Sequence, residues 1–221
     1  AKLDLLIQKR ESGEPFAYLS GTKGFYHLDF KVTTDTLIPR PETEILIDIA
    51  LGLFDSSESI KVLDLGTGSG VIAITLADKC SSWKVSAADQ SKAALKVATH
   101  NASTTKTNIE FRHGSWFEAV PNQCYDLIIS NPPYVQTNDP HLADLQFEPI
   151  EALISGADGL EDIRIIIEQA PRQLNSGGYL LLEHGFNQQT EIMRLMRQSF
   201  SDVRGFQDNN GIDRAVLGRM K

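Results

Sequence analysis

The chain has little of what several protein classes require. Only two of its 221 residues are cysteine, Cys80 and Cys124, so no disulfide framework can staple it. Neither the cysteines nor the five histidines show metal-ligand spacing, and both thiols read as plain structural residues. No apolar run approaches the roughly 20 residues needed to span a bilayer as a helix, so no membrane partner is expected. The opening Ala1-Lys2-Leu3-Asp4-Leu5-Leu6 lacks a basic segment leading into a long apolar core, so no secretory signal is expected there. It also lacks an initiator Met, which points to a trimmed or processed N-terminus. Positive charge is in deficit: 29 acidic residues face 21 basic ones, for a net charge of −8. Proteins that clamp nucleic acid usually carry a basic face, because phosphate neutralisation supplies most of their non-specific affinity. The balance therefore argues against a polynucleotide substrate. Internal repeats and low-complexity tracts are missing as well.

What is present is the rhythm of an α/β domain. Hydrophobic residues make up 41% of the chain and charged ones 23%, the balance of an ordinary globular protein. Strands are expected at Lys61–Leu65, Lys84–Asp89, Ile109–His113, Tyr125–Ser130 and Gly178–Glu183. Helices are expected between them at Val71–Lys79, Ser91–Ala102 and Leu160–Leu174. Such alternation predicts a parallel sheet covered on both faces. A helix near Gln188–Ser199 and two strand-like runs, Asp202–Phe206 and Arg214–Arg219, predict a closing antiparallel hairpin on the sheet edge. Upstream, Ala1–Glu11 reads as the end of a helix broken by Ser12-Gly13-Glu14-Pro15. The aromatic stretch Gly24–Phe30 reads as a hairpin. Pro39-Arg40-Pro41 stiffens an entry loop into a helix over Ile45–Leu51.

Two loops carry the chemistry. The first is Gly66-Thr67-Gly68-Ser69-Gly70, where the strand ending at Leu65 turns into a helix. Glycine there permits close approach of backbone to a ligand, and a helix N-terminus offers N–H donors. Asp89 closes the next strand, where an acidic side chain can accept hydrogen bonds from ribose hydroxyls. It could equally cap the following helix, as could Ser91. Trp116 could lie against an adenine ring or simply pack in the core.

The second loop is Asn131-Pro132-Pro133-Tyr134, directly after the apolar run Tyr125–Ser130. Asn131 offers a side-chain oxygen, Pro132 a carbonyl with no competing N–H, and Tyr134 a flat face against a planar group. Acceptors aimed at the hydrogens of a planar nitrogen bind better as that nitrogen gains positive charge. A hydride-transfer enzyme has no use for such a turn. Together the loops predict methyl transfer from adenosylmethionine to nitrogen. Asn131, Pro132 and Tyr134 are the candidate catalytic residues, and Pro133 completes the acceptor grip. The turn alone leaves open glutamine amide, adenine N6 and guanine N2.

These residues resemble the protein-(glutamine N5) methyltransferases of peptide-chain release factors, the HemK/PrmC family. The resemblance runs over nearly the whole chain. It includes Leu37-Ile38-Pro39-Arg40-Pro41-Glu42-Thr43-Glu44, Asp64–Gly70, Asn131–Val135, Phe147-Glu148-Pro149, Ala157-Asp158-Gly159-Leu160, Glu183-His184-Gly185 and Gly211-Ile212-Asp213-Arg214. Pro39–Glu44 is its most specific segment, and a ribosomal-protein glutamine methyltransferase would depart from it. A DNA or RNA amino-methyltransferase is the more distant alternative.

The resemblance implies a Rossmann-like class I adenosylmethionine-dependent fold, a mostly parallel seven-stranded sheet with a terminal antiparallel hairpin. It implies that Gly66, Thr67, Gly68, Ser69 and Gly70 line the methionine portion of S-adenosylmethionine, whose product is S-adenosylhomocysteine. Asp89 would hold the ribose, Trp116 would flank the adenine, and Asn131 would bridge cofactor and acceptor. Asn131 to Tyr134 would hold the glutamine of the release factor's Gly-Gly-Gln loop. Residues 1–21 would be the remnant of an N-terminal helical docking domain with its linker, 22–36 a β-hairpin, and 37–221 the catalytic domain. A cytoplasmic monomer with no metal and no direct nucleic-acid partner is expected. Arg40 is expected to meet a carboxylate, Glu42 and Glu44 to favour the next helix's first turn, and His184 to be structural. Phe147-Glu148-Pro149 is expected to shape either a lid or a plain loop.

Overall fold

Strands buried on both faces read as continuous apolar runs; here five strands align in parallel, four of them largely buried and the outermost, Ile109–His113, partly exposed. The computed structural model of the chain describes residues 2–221. Its elements in order are α1 (Lys2–Glu11), α2 (Phe16–Ser20), β1 (Thr22–Phe25), β2 (Leu28–Lys31), α3 (Glu44–Leu53), β3 (Lys61–Leu65) and α4 (Val71–Lys79). There follow β4 (Lys84–Asp89), α5 (Lys92–Thr105), β5 (Ile109–His113), β6 (Tyr125–Ser130), α6 (Glu161–Gln169), β7 (Leu174–Glu183), α7 (Gln189–Met196), β8 (Phe200–Gln207) and β9 (Asp213–Met220). The main sheet has seven strands in the order β5-β4-β3-β6-β7-β9-β8. β9 runs antiparallel to both β7 and β8, so the terminal hairpin extends the sheet as the sequence predicts.

Alternate side chains of the central strands feed two apolar layers. Val62, Leu127, Ile129 and Leu181 pack with α3 and α4 on one face. Leu63, Leu65, Ile128, Leu180 and Leu182 pack with α6 and α7 on the other. Among the described residues no helix is long and apolar enough to cross a membrane.

Three departures from expectation have a local reason. The helix expected over 160–174 stops at Gln169, because Pro171 sits in a 3-10 turn, Ala170–Arg172, that leads straight into β7. β7 starts at Leu174 rather than Gly178, through a register shift opposite Tyr125 and Leu127. Gly178 permits this: a Cβ there would lie 3.0–3.1 Å from the carbonyl oxygens of Asn175, Asp126 and Tyr125. The short α2 carries no apolar periodicity long enough to be read from sequence.

The β1–β2 hairpin pairs Thr22 with Lys31 through Phe25 with Leu28. Phe25 and Phe30 meet edge to face at 6.2 Å between centroids and are buried in the first apolar layer. Asn101 of α5 then anchors the hairpin. Its amide accepts from Lys31 N–H at 2.9 Å and donates to Lys31 O at 3.0 Å and to Ser69 O at 2.8 Å. One buried side chain thus joins the hairpin to the glycine loop. Asn101→Ala leaves buried backbone groups unpaired and is expected to lower stability by about 1–3 kcal/mol, read as a lower urea midpoint at unchanged m-value.

Candidate active site

The chain leaves β3 outward to β4 and β5, then returns to the other side of β3 as β6. This reversal creates a crevice at the carboxyl ends of β3 and β6, where open α/β sheets bind ligands. Leu65 pairs with Ser130, and the Ser130 hydroxyl donates to Leu65 O at 2.7 Å. The next residues, Gly66 and Asn131, therefore start two loops from neighbouring points. A cavity of about 460 Å³ opens there, lined by Gly66, Gly68, Asp89, Trp116, Asn131 and Pro133, with Leu37 and Glu151 among its other walls. A smaller pocket of about 170 Å³ is lined by Arg40, Asn131, Pro132, Tyr134, Val135 and Leu145. Asn131 lines both.

The glycine loop divides into a wall and a foundation. Gly66 (φ 71°) and Gly68 (φ 56°) face the cavity. Thr67 and Ser69 are buried behind them. Gly70, at φ 87°, lies under the loop, where a Cβ would come within 2.8 Å of Ile74 Cδ1 and 3.2 Å of Ala98 Cβ. Its lack of a side chain serves helix packing. The backbone donors expected to await a ligand are largely engaged: Gly66 and Thr67 N–H reach Ala88 O, Gly70 N–H reaches Thr67 O, and Gly68 N–H reaches Asp89 at 2.8 Å. The loop is held by its own hydrogen bonds and offers a contour more than a set of free donors. Beneath it Asp64 accepts from the Thr67 hydroxyl at 2.6 Å and from Ala73 N–H at 3.2 Å. Burial pushes Asp64 up to about 7, against those two hydrogen bonds, and the charge of Asp89 adds to the rise.

The capping ambiguity at the end of β4 resolves by division of labour. Ser91 caps α5, accepting from Ala94 N–H at 3.1 Å. Asp89 instead braces the loops, accepting from Gly68 and Ser91 N–H, and still borders the cavity. Burial raises its pKa, opposed by those two backbone bonds. Trp116 borders the cavity with a backbone φ of 44°, a region costly for a bulky residue. A Cβ on Gly66 would meet the Trp116 ring at 3.4 Å, an ordinary van der Waals contact, so it is the positive φ that calls for glycine beside the indole.

The Asn-Pro-Pro-Tyr turn is fastened from beneath. Asn131 Nδ2 donates to Thr43 Oγ1 at 3.1 Å, and the Tyr134 hydroxyl donates to Glu183 Oε1 at 3.2 Å. Thr43 and Glu183 are both buried, the latter at the end of β7. Burial pushes Glu183 up to about 7, opposed first by the Thr43 hydroxyl and then by Tyr134. Glu183 Oε2 closes no full hydrogen bond, so the Thr43 contact falls short of ideal geometry. Burial, and then the charge of Glu183, push the Tyr134 phenol upward, so it stays a neutral donor. The Tyr134 carbonyl accepts from Gln188 Nε2 at 3.0 Å and lies against Gly159 (φ 73°), where a Cβ would sit 2.2 Å from that oxygen.

Arg40 lines the smaller pocket and pairs with Glu148, whose other oxygen accepts from Ile38 N–H at 2.9 Å. Phe147-Glu148-Pro149 is thereby pinned to the Pro39–Pro41 loop. Glu44 accepts from Tyr26 N–H at 2.7 Å, holding the hairpin as well as opening α3. His184 is buried with Nδ1 2.8 Å from Gly185 O, and burial lowers its pKa, as suits a neutral structural imidazole.

Comparison with known proteins agrees with this geometry. A family model described as "Methyltransferase small domain" matches residues 43–213. A release factor glutamine methyltransferase of Coxiella burnetii is 43% identical over 98% of this chain and 79% of its own length. One from Xylella fastidiosa is 46% identical over 97% and 79%, and one from Pseudomonas aeruginosa 42% over 99% and 80%. The chain belongs to the release factor glutamine methyltransferase family. Among solved structures, a methyltransferase from Pyrococcus furiosus superposes with a TM-score of 0.65 at 21% identity, covering 98% of this chain and 95% of its own. A 16S rRNA N2 G1207 methyltransferase from Thermus thermophilus gives 0.67 at 14% identity, covering 90% and 50%. At such identities these two speak to the fold, which is that of the adenosylmethionine-dependent methyltransferases.

In this member of the release factor glutamine methyltransferase family, Thr43, Gln188 and the buried carboxylates Asp64 and Glu183 hold the site, and sequence reasoning gave none of them a role. Thr43, Asp64 and Glu183 do fall inside segments that carry the family resemblance, whereas Gln188 leaves no signal. A native carboxylate with a raised pKa binds protons that the unfolded chain has released. Its contribution to stability is therefore lost as pH rises between the two values. For Asp64 that window runs from 3.8 to about 7. Across it, the wild type is expected to lose stability relative to Asp64→Asn, measured by urea unfolding of both proteins at stepped pH.

Proposed function

We propose that Asn131 is where cofactor and acceptor meet, as the chain transfers a methyl group from S-adenosylmethionine to the side-chain amide nitrogen of a release-factor glutamine. The observation that carries this reading is the sharing of Asn131 between the larger cavity and the smaller pocket. The larger cavity suits the cofactor in size, since small-molecule sites run from about 300 to 1,000 Å³. Its residues suit it in kind: an acidic side chain after β4, an indole face, and a glycine at 68 with open space where a side chain would stand. Gly66, Gly68, Asp89, Trp116 and Asn131 would hold the cofactor, with Thr67, Ser69 and Gly70 shaping the loop from below. The cofactor supplies an electrophilic methyl group on a sulfonium.

The chain's own residues supply position. An amide nitrogen is a poor nucleophile because its lone pair is delocalised, so orientation has to contribute much of the rate. Asn131 Oδ1 and the Pro132 carbonyl accept the amide hydrogens, and Tyr134, which lines the smaller pocket with them, offers its flat face to the plane. As positive charge develops on nitrogen, those hydrogens become more acidic and the two acceptors hold them more strongly. At about 170 Å³ the smaller pocket is well below the larger cavity in size, which suits a single side chain such as a glutamine carried between glycines on a thin loop. No general base is required, and the surplus proton can pass to water. The acidic composition and the names of the relatives both support a protein acceptor, and a monomer acting in the cytoplasm belongs to the same proposal.

The decisive experiment supplies radiolabelled S-adenosylmethionine with a purified release factor, its glutamine-substituted variant and DNA. Label is expected on the intact release factor alone; label on DNA, or label that survives loss of the glutamine, would overturn the reading. Asn131→Ala is expected to cut turnover by roughly a hundred- to a thousandfold while cofactor affinity, measured by calorimetry, stays close to wild type.

A further inference from the structure

We propose that Glu183, acting through Thr43, is a positioning residue that turns the Asn131 side-chain amide so that its oxygen, and not its nitrogen, faces the acceptor. The inference rests on the reading of Asn131 given above. It starts from a count of protons among buried groups. Thr43 has one hydroxyl proton, and its oxygen already accepts from Asn131 Nδ2 at 3.1 Å. Ionised Glu183 has no proton to give and accepts from the Tyr134 hydroxyl at 3.2 Å. Glu183 Oε2 is a buried oxygen that closes no full hydrogen bond, and the Thr43 hydroxyl is the donor that bears on this carboxylate most, so the Thr43 proton has the carboxylate and Asn131 to choose between. A charged acceptor wins that choice, because hydrogen bonds to an ionised group are roughly twice as strong. With its proton turned to Glu183, Thr43 can only accept from Asn131. Nδ2 is thereby committed inward and Oδ1 is left for the pocket.

The same count shows what fails without the carboxylate. A protonated or amidated side chain at 183 can donate to Thr43. The hydroxyl is then free to donate to Asn131 Oδ1, and the amide turns over. Its NH2 would face the NH2 of a bound glutamine, donor against donor. Tyr134 senses the same carboxylate, so both ends of the turn answer to one group. The other charges that act on Glu183 are Arg214, itself paired with Asp208 at 3.3 Å, and Glu42. His184, next along the chain, is held neutral by burial and does not compete.

The test compares wild type, Glu183→Gln, Thr43→Val, Thr43→Ser and Asn131→Ala for kcat, cofactor affinity and the pH dependence of kcat on intact release factor. Glu183→Gln and Thr43→Val are expected to lower kcat roughly a hundredfold, the scale of a misplaced reacting group, with cofactor affinity kept. Thr43→Ser retains the hydroxyl and is expected to keep most of the activity, which a merely space-filling role for Thr43 does not predict. Wild-type kcat is expected to rise with pH through about 7, and that limb should be missing in Glu183→Gln. If Glu183→Gln folds poorly, the Thr43 pair carries the comparison alone. Wild-type kcat in Thr43→Val, or an unchanged acid limb in a folded Glu183→Gln, overturns the proposal while leaving the role of Asn131 intact. An active Asn131→Ala instead removes the reading beneath it.

Discussion

The parallel pairing of β3 with β6 is the constraint from which the site follows. It sets Leu65 beside Ser130, and the Ser130 hydroxyl closes on Leu65 O, so the strands end together. Everything chemical begins one residue later on each side. A slip of one residue would turn Leu63 and Leu65 out of their layer. It would also part Gly66 from Asn131. The apolar alternation that builds the two layers is therefore the same property that aligns the loops.

Around that seam the molecule accepts unfavourable burial. Asp64 and Glu183 lie at the ends of β3 and β7, nearly without solvent, and each leaves one oxygen without a full partner. Buried polar groups of this kind cost stability unless fully paired, yet they select one arrangement of their neighbours. Asp64 holds the turn of the glycine loop through Thr67. Glu183 holds the Tyr134 end of the acceptor turn by a hydrogen bond, and Thr43 holds the Asn131 end. Trp116 adds a strained backbone of the sort that concentrates where ligands bind. These departures from an ideal core gather at the carboxyl ends of the parallel strands.

How much of this was legible in the sequence varies with the distance over which each residue acts. The strands from Lys61 to Ser130 fall where their apolar runs predict, because periodicity is local. The glycine loop and the Asn-Pro-Pro-Tyr turn were readable because special backbone geometry demands special residues. Asp89 was readable as acidic at a strand end, but its division of labour with Ser91 needed the neighbouring amides in view. The partners of Asn131 and Tyr134 were out of reach, since 88 residues separate Asn131 from Thr43 and 49 separate Tyr134 from Glu183. Arg40 and Glu148 are a like case, 108 residues apart. Inside the glycine motif, sequence could not tell that Gly70 is a packing residue while Gly66 and Gly68 form the wall.

Gly159 carries one further consequence. Behind Tyr134 the Gly159 backbone and the Gln188 amide meet, with the carbonyl of residue 134 lodged where any other amino acid at 159 would put its first carbon. A pocket bounded by side chains can be widened or narrowed by exchanging them one at a time, and such pockets drift readily toward new substrates. At Gly159 the boundary has nothing to trim and no room for an addition. Changing the acceptor would demand moving the main chain, and single substitutions rarely do that. The breadth of acceptors open to this scaffold is thus restrained by a missing atom.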